Sequence, residues 1–285
     1  MSEKTLFFEL FQPFAQYRNP FTFYYAQTYP LPPKSTIIGM LQNAVGDWYG
    51  NNRGIEKWWN LNISIHGGFE SVFWNYQRLI KGEIELKRVN EKPVLFNQKL
   101  PLYGGGLTSE RSPTNQQELF NGHLYLFIKG EEGFIEEIKS SIETPKKVLS
   151  LGRSEDVIFI KNVELIGLTK RKIAEKNLWL TYPTYIKSKT KLNGEEKRFP
   201  IKNMKYPVFS IPVKVLFENN GTPIKTKGEL TKKTERKPEF ETVIYTGNDY
   251  VVYLQDKSEI ETEIYCIGDG EKQKIFKIPK EYGWL

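Results

Sequence analysis

An α+β fold in two parts is predicted by three features of the sequence. In the first half, segments whose apolar residues recur at helical spacing are interleaved with segments that alternate like strands. Beyond about residue 176 the helical period disappears and alternating segments with turn residues between them take over. The charge divides as well. Lys and Arg balance Asp and Glu at 18 against 18 over residues 1–169, while residues 170–205 carry 11 against 3 and residues 225–237 carry 6 against 2.

The first element, KTLFFELFQPFA, sets Leu6, Phe8 and Leu10 against Phe7, Glu9 and Phe11, a strand with both faces partly covered. A proline-punctuated loop runs through Arg18 and Pro20 to Pro33. From Lys34, the residues Ile37, Ile38, Met40, Leu41, Ala44, Val45 and Trp48 mark a helix that Gly46 and Gly50 close. LNISIHGGFESVFWNYQRLI reads as a strand, and HLYLFIKG as another, entered by a turn at Asn121-Gly122. Between them residues 80–120 form a polar, glycine-rich excursion too long to be an ordinary connection. A second helix follows, with Phe134, Ile135, Ile138 and Ile142 on one side and Pro145 at its end; VIFIKNVELIGL is the next strand. This order of strand, helix, strand, excursion, strand, helix, strand is that of the split βαβ, ferredoxin-like fold shared by RNA-recognition modules. A ferredoxin-like (RRM-like) domain is therefore expected over residues 1–175. YPVFSIPVKVLFENN, FETVIYTGN and DYVVYLQDKSEIETEIYCI predict a β-rich domain over residues 176–285.

Composition narrows the function classes. Of 285 residues 39% are hydrophobic and 14% aromatic, enough for packed cores, and the net charge is +7. No apolar run approaches the roughly 20 residues of a membrane span, and MSEKTLFFEL lacks the pattern of a secretory signal, so a cytoplasmic protein is expected. The one cysteine, Cys266, excludes an internal disulfide and a cysteine metal cluster, and is expected at a buried apolar position. His66 and His123 have no acid or cysteine at ligand spacing, and neither a P-loop nor a dinucleotide fingerprint is present. Neither metal nor cofactor is expected. Metal-free RNA cleavage needs a base beside a ribose 2′-hydroxyl; His123, His66, Tyr24 or Lys34 could serve, and the spacing chooses none of them. No catalytic residue is assigned.

Three constellations remain. YPLPPKSTIIGMLQNAVG places Lys34, Ser35 and Thr36 where a rigid loop becomes a helix, which suits either capping or an anionic group at the helix N-terminus. KKVLSLGRSEDVIF sets Gly152 before Arg153 and Ser154. This is a tight turn whose arginine either pairs on the surface with Glu155 or Asp156 or grips a phosphate. On the phosphate reading, loss of the Arg153 side chain costs binding and little stability. The excursion carries Lys81, Lys87, Arg88, Lys92, Lys99 and Arg111 on a polar segment, a solvated hairpin or a polyanion contact.

The first two stretches together resemble the paired signatures of the CRISPR-associated Cas five family, a branch of the RAMP superfamily. The likeness extends to element order over residues 1–169 and is faint beyond. It implies a non-catalytic subunit of a type I Cascade-like surveillance complex. Such a subunit holds the 5′ handle of the CRISPR RNA (crRNA), touches target DNA only through the complex, and contacts a repeated backbone subunit and the large subunit. It also implies a β-hairpin thumb inserted at about 78–118, and the long β-rich part resembles the type I-B and I-A versions. The RNA-binding set expected on both grounds is Arg18, Tyr24, Lys34, Ser35, Thr36, Arg78, Arg88, Arg111, Lys146, Lys147, Gly152, Arg153 and Ser154. Tyr17, Phe21, Phe23 and Tyr25 lie beside Arg18 for base stacking. The alternatives are a metal-independent endoribonuclease that processes repeat RNA, as in type I-C relatives, and a type III effector-complex RAMP subunit.

Overall fold

The computed structural model describes residues 2–22, 26–80, 85–89, 92–96, 111–173, 176–192, 194–202, 205–224, 226–231, 234–247, 251–256, 258–268 and 273–285; residues 77–80, 85–89, 92–96, 111–114 and 227 are described by backbone alone. The first half contains β1 (Glu3–Ala15), α1 (Lys34–Val45), a 3-10 turn (Trp48–Gly50), α2 (Ile55–Trp59), β2 (Asn62–Ile80), β3 (Glu85–Val89), β4 (Lys92–Phe96), β5 (Arg111–Glu131), α3 (Glu132–Glu143) and β6 (Phe159–Ile166). The second half contains β7 (Thr169–Ile173), β8 (Asn177–Trp179), β9 (Tyr185–Lys187), β10 (Lys189–Leu192), β11 (Glu195–Arg198), β12 (Val208–Asn219), β13 (Thr222–Pro223), β14 (Glu235–Tyr245), β15 (Val251–Tyr253), β16 (Ile260–Ile267) and β17 (Lys274–Pro279). The fold is α+β and mostly strand.

Four long strands pair antiparallel in the order β2-β5-β1-β6. The alternation of β1 explains how this sheet is covered. Leu6, Phe8 and Leu10 join the cluster that holds Ile37, Ile38 and Leu41 of α1 and Ile135 and Ile138 of α3. The odd residue Phe7 belongs to a separate cluster with Tyr125, Phe127, Phe276, Ile278 and Trp284. The period of two thus buries one strand on both faces. The order β17-β16-β7 describes the smaller sheet that supplies the second cover, and β13-β12-β14-β9 a further one.

Both helices match their expected spans. α1 closes at Gly46, which adopts φ 76° and donates its N–H to the Gln42 carbonyl. α3 buries Phe134, Ile135, Ile138 and Ile142 as its apolar spacing predicts. The expected turn at Asn121-Gly122 is not one: both residues lie inside β5, with Asn121 at φ 56°. The glycine serves close approach, since a Cβ there would lie 2.3 Å from Cε1 of Phe69 on the neighbouring strand. Cys266 is exposed on β16, a second correction; the alternation of that strand turns it away from the sheet it covers.

Past the change of element type near residue 176 the core is partly shared and partly new: Leu178, Ile186, Phe199, Ile244 and Val252 belong with Ile173 to a cluster drawn only from the second half. Tyr185, Ile211, Ile224, Val243 and Leu285 belong to the same cluster as β1 and α1. The outer edge of β2 is closed by the second half: Gly67 N–H donates to the Pro183 carbonyl at 3.0 Å, and Leu285 N–H to that of Ile63 at 2.9 Å. Covered this way, a long edge strand no longer offers a template for foreign pairing.

His66 sits on β2 under this second cover, 2% exposed, with Phe127 and Phe276 edge-on and the Ser64 hydroxyl 3.1 Å from Nε2. Burial pushes its imidazole down to about 3 from the ordinary 6.5. The unfolded chain therefore takes up a proton that the folded one refuses. The stability tied to neutral His66 is complete above about 6.5 and is lost as pH falls toward 3. Urea titrations at stepped pH are expected to show His66→Phe losing stability less steeply on acidification, by up to about 1.4 kcal/mol per pH unit.

Candidate nucleic-acid interface

The Gly152-Arg153 turn lies at the surface, with Gly152, Ser154 and Glu155 exposed and Arg153 half-buried, and is anchored inward by Asp156. Asp156, 1% exposed, accepts hydrogen bonds from the Arg153 N–H at 2.9 Å, the Arg153 guanidinium at 2.8 Å and the Gln16 N–H at 3.0 Å. The other arm of Arg153 reaches Glu118 of β5 at 2.7 Å, and Gln12 Nε2 donates to the Leu151 carbonyl at 2.6 Å. Burial alone would depress the guanidinium pKa; the hydrogen bonds to Asp156 and Glu118 outweigh it and hold the value above normal. Gly152, at φ 114°, is needed because a Cβ would lie 2.7 Å from Asp156 Oδ2 and 2.9 Å from the Gln16 carbonyl. Arg153, 22% exposed at its side chain, thus makes the expected pairing with Asp156 and, at 3.4 Å, with exposed Glu155, and adds a tie to Glu118 of β5. Ser154 is exposed, with its hydroxyl on Glu155.

The proline loop is also an internal joint. Pro32 and Pro33 are buried, Tyr29 donates to the Ser210 carbonyl at 2.6 Å, and Tyr185 donates to that of Leu31 at 2.9 Å. Pro33 stands at the N-cap with no side-chain cap, so the capping expected of Ser35 or Thr36 is corrected. Their register places both inside the first turn, where Thr36 N–H donates to Pro33. Lys34 does not face solvent. It is 6% exposed, and its amine donates to the Trp59 and Leu285 carbonyls at 2.9 and 3.1 Å. Burial, with Lys187 and Lys214 nearby, lowers its pKa to about 8.

What the two stretches do share is a cleft of about 370 Å³ between α1, the Trp48–Gly50 turn and β12. Ser35 comes from the first stretch and Lys147 from the second; Lys214 and Arg236 bring further cations, and Trp48, Tyr49, Trp59 and Phe217 bring aromatic surface. Tyr49 holds φ 51°, a strained backbone for an L residue, and accepts the Phe217 N–H on its hydroxyl at 3.1 Å. Sequence reasoning missed Trp48, Lys214, Phe217 and Arg236 as one group. A cation in the alternating run IPVKVLFE was the available signal, and only pairing places it over α1.

Arg18 is exposed where the loop bridges to Thr28, and Lys146 and Lys147 are exposed after α3. Tyr24 lies outside the described residues. Arg78, Arg88 and Arg111 are described by backbone, at Arg78↔Pro113, Arg88↔Pro93 and Arg111↔Ile80 in two paired arms. Nearer the sheet, those arms expose Val72, Trp74 and Tyr76, each about half or more. Among the described residues no group of three or more His, Cys, Asp or Glu could hold a metal. Of the candidate bases, His66 and Lys34 are buried, and His123 is exposed beside the Phe11 ring at 5.2 Å.

Arg153→Ala removes the guanidinium that pairs with two buried carboxylates, Glu118 and Asp156. It is expected to cost about 3 kcal/mol of unfolding free energy in denaturant titration. Arg153→Lys recovers only part of this, because one ammonium cannot fork between Asp156 and Glu118.

A family model described as CRISPR-associated protein (Cas_Cas5) matches residues 5–212. Among solved structures, a chain of a CRISPR RNA-guided surveillance complex is similar at 13% identity, covering 89% of this chain and 91% of that one with a TM-score of 0.45. A crystal structure of a CRISPR protein from Archaeoglobus fulgidus shares 10% identity over 96% and 99% of the two chains, with a TM-score of 0.36. Another, of a Cas protein, shares 18% identity over 54% of this chain at a TM-score of 0.33; the match spans 58% of that protein's length. No curated protein matches. No helix among the described residues is long and apolar enough to cross a membrane. With its model matched from β1 into β12, the chain belongs to the CRISPR-associated Cas5 family.

Proposed function

We propose that the chain is a non-catalytic RNA-binding subunit of a type I Cascade-like surveillance complex. It holds the 5′ handle of the crRNA and touches the neighbouring backbone subunit and the large subunit. Family membership across residues 5–212 carries this reading. The β-α-β-β-α-β succession with strand order β2-β5-β1-β6 is read as a ferredoxin-like core, and the paired arms of β2 and β5 as the base of a thumb. Exposed Val72, Trp74 and Tyr76 on those arms suit a protein or RNA neighbour.

Phosphates of a single strand are met by exposed cations, and Arg18, Lys146 and Lys147 are the expected residues that the structure leaves on the surface. Arg153 and Lys34 support the frame that holds them. Of the candidate bases Lys34 and His66 are buried, while His123 is exposed.

Filter binding to handle RNA at stepped salt tests the reading. The logarithm of affinity is expected to fall linearly with the logarithm of salt, by about 0.7 per phosphate contact, and Lys146→Ala with Lys147→Ala should flatten the slope by about 1.4. Affinity indifferent to salt would overturn phosphate holding. Repeat RNA incubated with the protein and EDTA is expected to stay intact, and a clean single cut would overturn the non-catalytic assignment.

A further inference from the structure

Gly39 sits in the middle of α1, where glycine is the poorest helix former short of proline. Its backbone is not in the left-handed region, and a Cβ built there would meet nothing within 4 Å. Neither conformation nor packing calls for a glycine. What the missing side chain does is leave bare helix backbone on the wall of the cleft shared with Ser35 and Lys147.

The rest of that cleft is built for a particular chemistry. Its volume, about 370 Å³, is at the small end of ligand pockets and admits one nucleotide-sized group. Trp48 and Phe217, with ring centroids 6.0 Å apart, give a face on which a planar base can stack. Lys147, Lys214 and Arg236 supply charge for a phosphate. Gln42 lines the same wall through its side chain, with its Nε2 turned away from solvent.

We infer that this cleft receives a single unstacked RNA nucleotide, its base over the bare Gly39 surface beside Trp48 and its phosphate toward Lys147, Lys214 and Arg236. This rests on the RNA-binding reading and adds a place and a mode to it.

The test uses the full chain, with AMP, GMP, CMP and UMP as probes beside handle RNA. Trp48 and Trp59 both line the cleft, so their fluorescence reports entry. Saturable quenching by at least one nucleotide is expected. Gly39→Phe, at a position where a Cβ meets nothing within 4 Å, should abolish it and weaken RNA binding at least tenfold, with Gly39→Ala, which keeps the cleft open, retaining both and melting at or above the wild-type temperature. Quenching that survives Gly39→Phe overturns the inference. So does the absence of quenching together with unchanged RNA affinity in that variant, an outcome that leaves RNA binding standing. Wild-type protein that binds neither RNA nor nucleotide removes the RNA reading and the cleft with it.

Discussion

Phe276 lies 5.0 Å from Tyr125, 5.2 Å from Phe127 and 6.0 Å from Phe7 between ring centroids, and with Trp284 it closes the sheet face that the helices leave open. A charged tie holds the lid in place. Lys129 Nζ and Trp284 Nε1 both donate to Glu263, at 2.8 and 2.7 Å, and the same ammonium lies 4.2 Å from the Trp284 ring. In RNA-recognition modules the open sheet face carries aromatic residues that stack bases. Here Phe7, Tyr125 and Phe127 occupy that face and are spent on the protein's own C-terminal strands. That face is therefore filled from within the chain, and exposed cations lie elsewhere, on β7 at Lys170, Arg171 and Lys172 as well as at Arg18, Lys146 and Lys147.

The second constraint is the Asp156 carboxylate. A buried charge is tolerated when hydrogen bonds replace its water, and Asp156 has donors from Gln16, from the Arg153 main chain and from the Arg153 guanidinium. The residues that read as a signature in the sequence thus hold the exit of β1 against the turn. Arg18 follows Gln16 by two positions, and Lys147 precedes the turn by five, so the tie fixes where both can present charge. A signature residue can serve RNA binding by stiffening the frame instead of touching the ligand.

Much of the fold was legible because periodicity survives in a single sequence. The residues Ile37 to Ala44 and Phe134 to Ile142 mark their helices, and Leu6 to Phe11 mark a strand covered on both sides. What could not be read depends on partners distant in the chain. Gly122 looks like half of a hairpin turn until Phe69 is laid over it. Lys34 reads as a surface cation because nothing local announces that Trp59 and Leu285 will supply carbonyls to its amine. Arg153 beside Glu155 and Asp156 suggested the pairing that forms, and only β5 brings Glu118 to make it a fork between distant strands. The cleft was invisible for the same reason, being a meeting of α1 with β12.

Lys34 shows how the frame and the ligand surface are coupled. A cation at the first turn of α1 opposes the helix dipole, and burial adds to the cost; Lys187 and Lys214 add further repulsion, against which Glu241 offers partial relief. With its pKa at about 8 the amine still carries its charge at neutral pH, and two carbonyls are what make this bearable. The charge is also shielded from solvent beside Trp59, which lines the cleft. In a poorly screened interior its field extends to any anion that approaches Lys214. Carboxylates of the fold offset part of the repulsion among Lys34, Lys187 and Lys214: Glu241 acts on Lys34 and Lys187, and Glu239 lies 3.9 Å from the Lys214 amine, so the conflict is tempered by β14 and not left open.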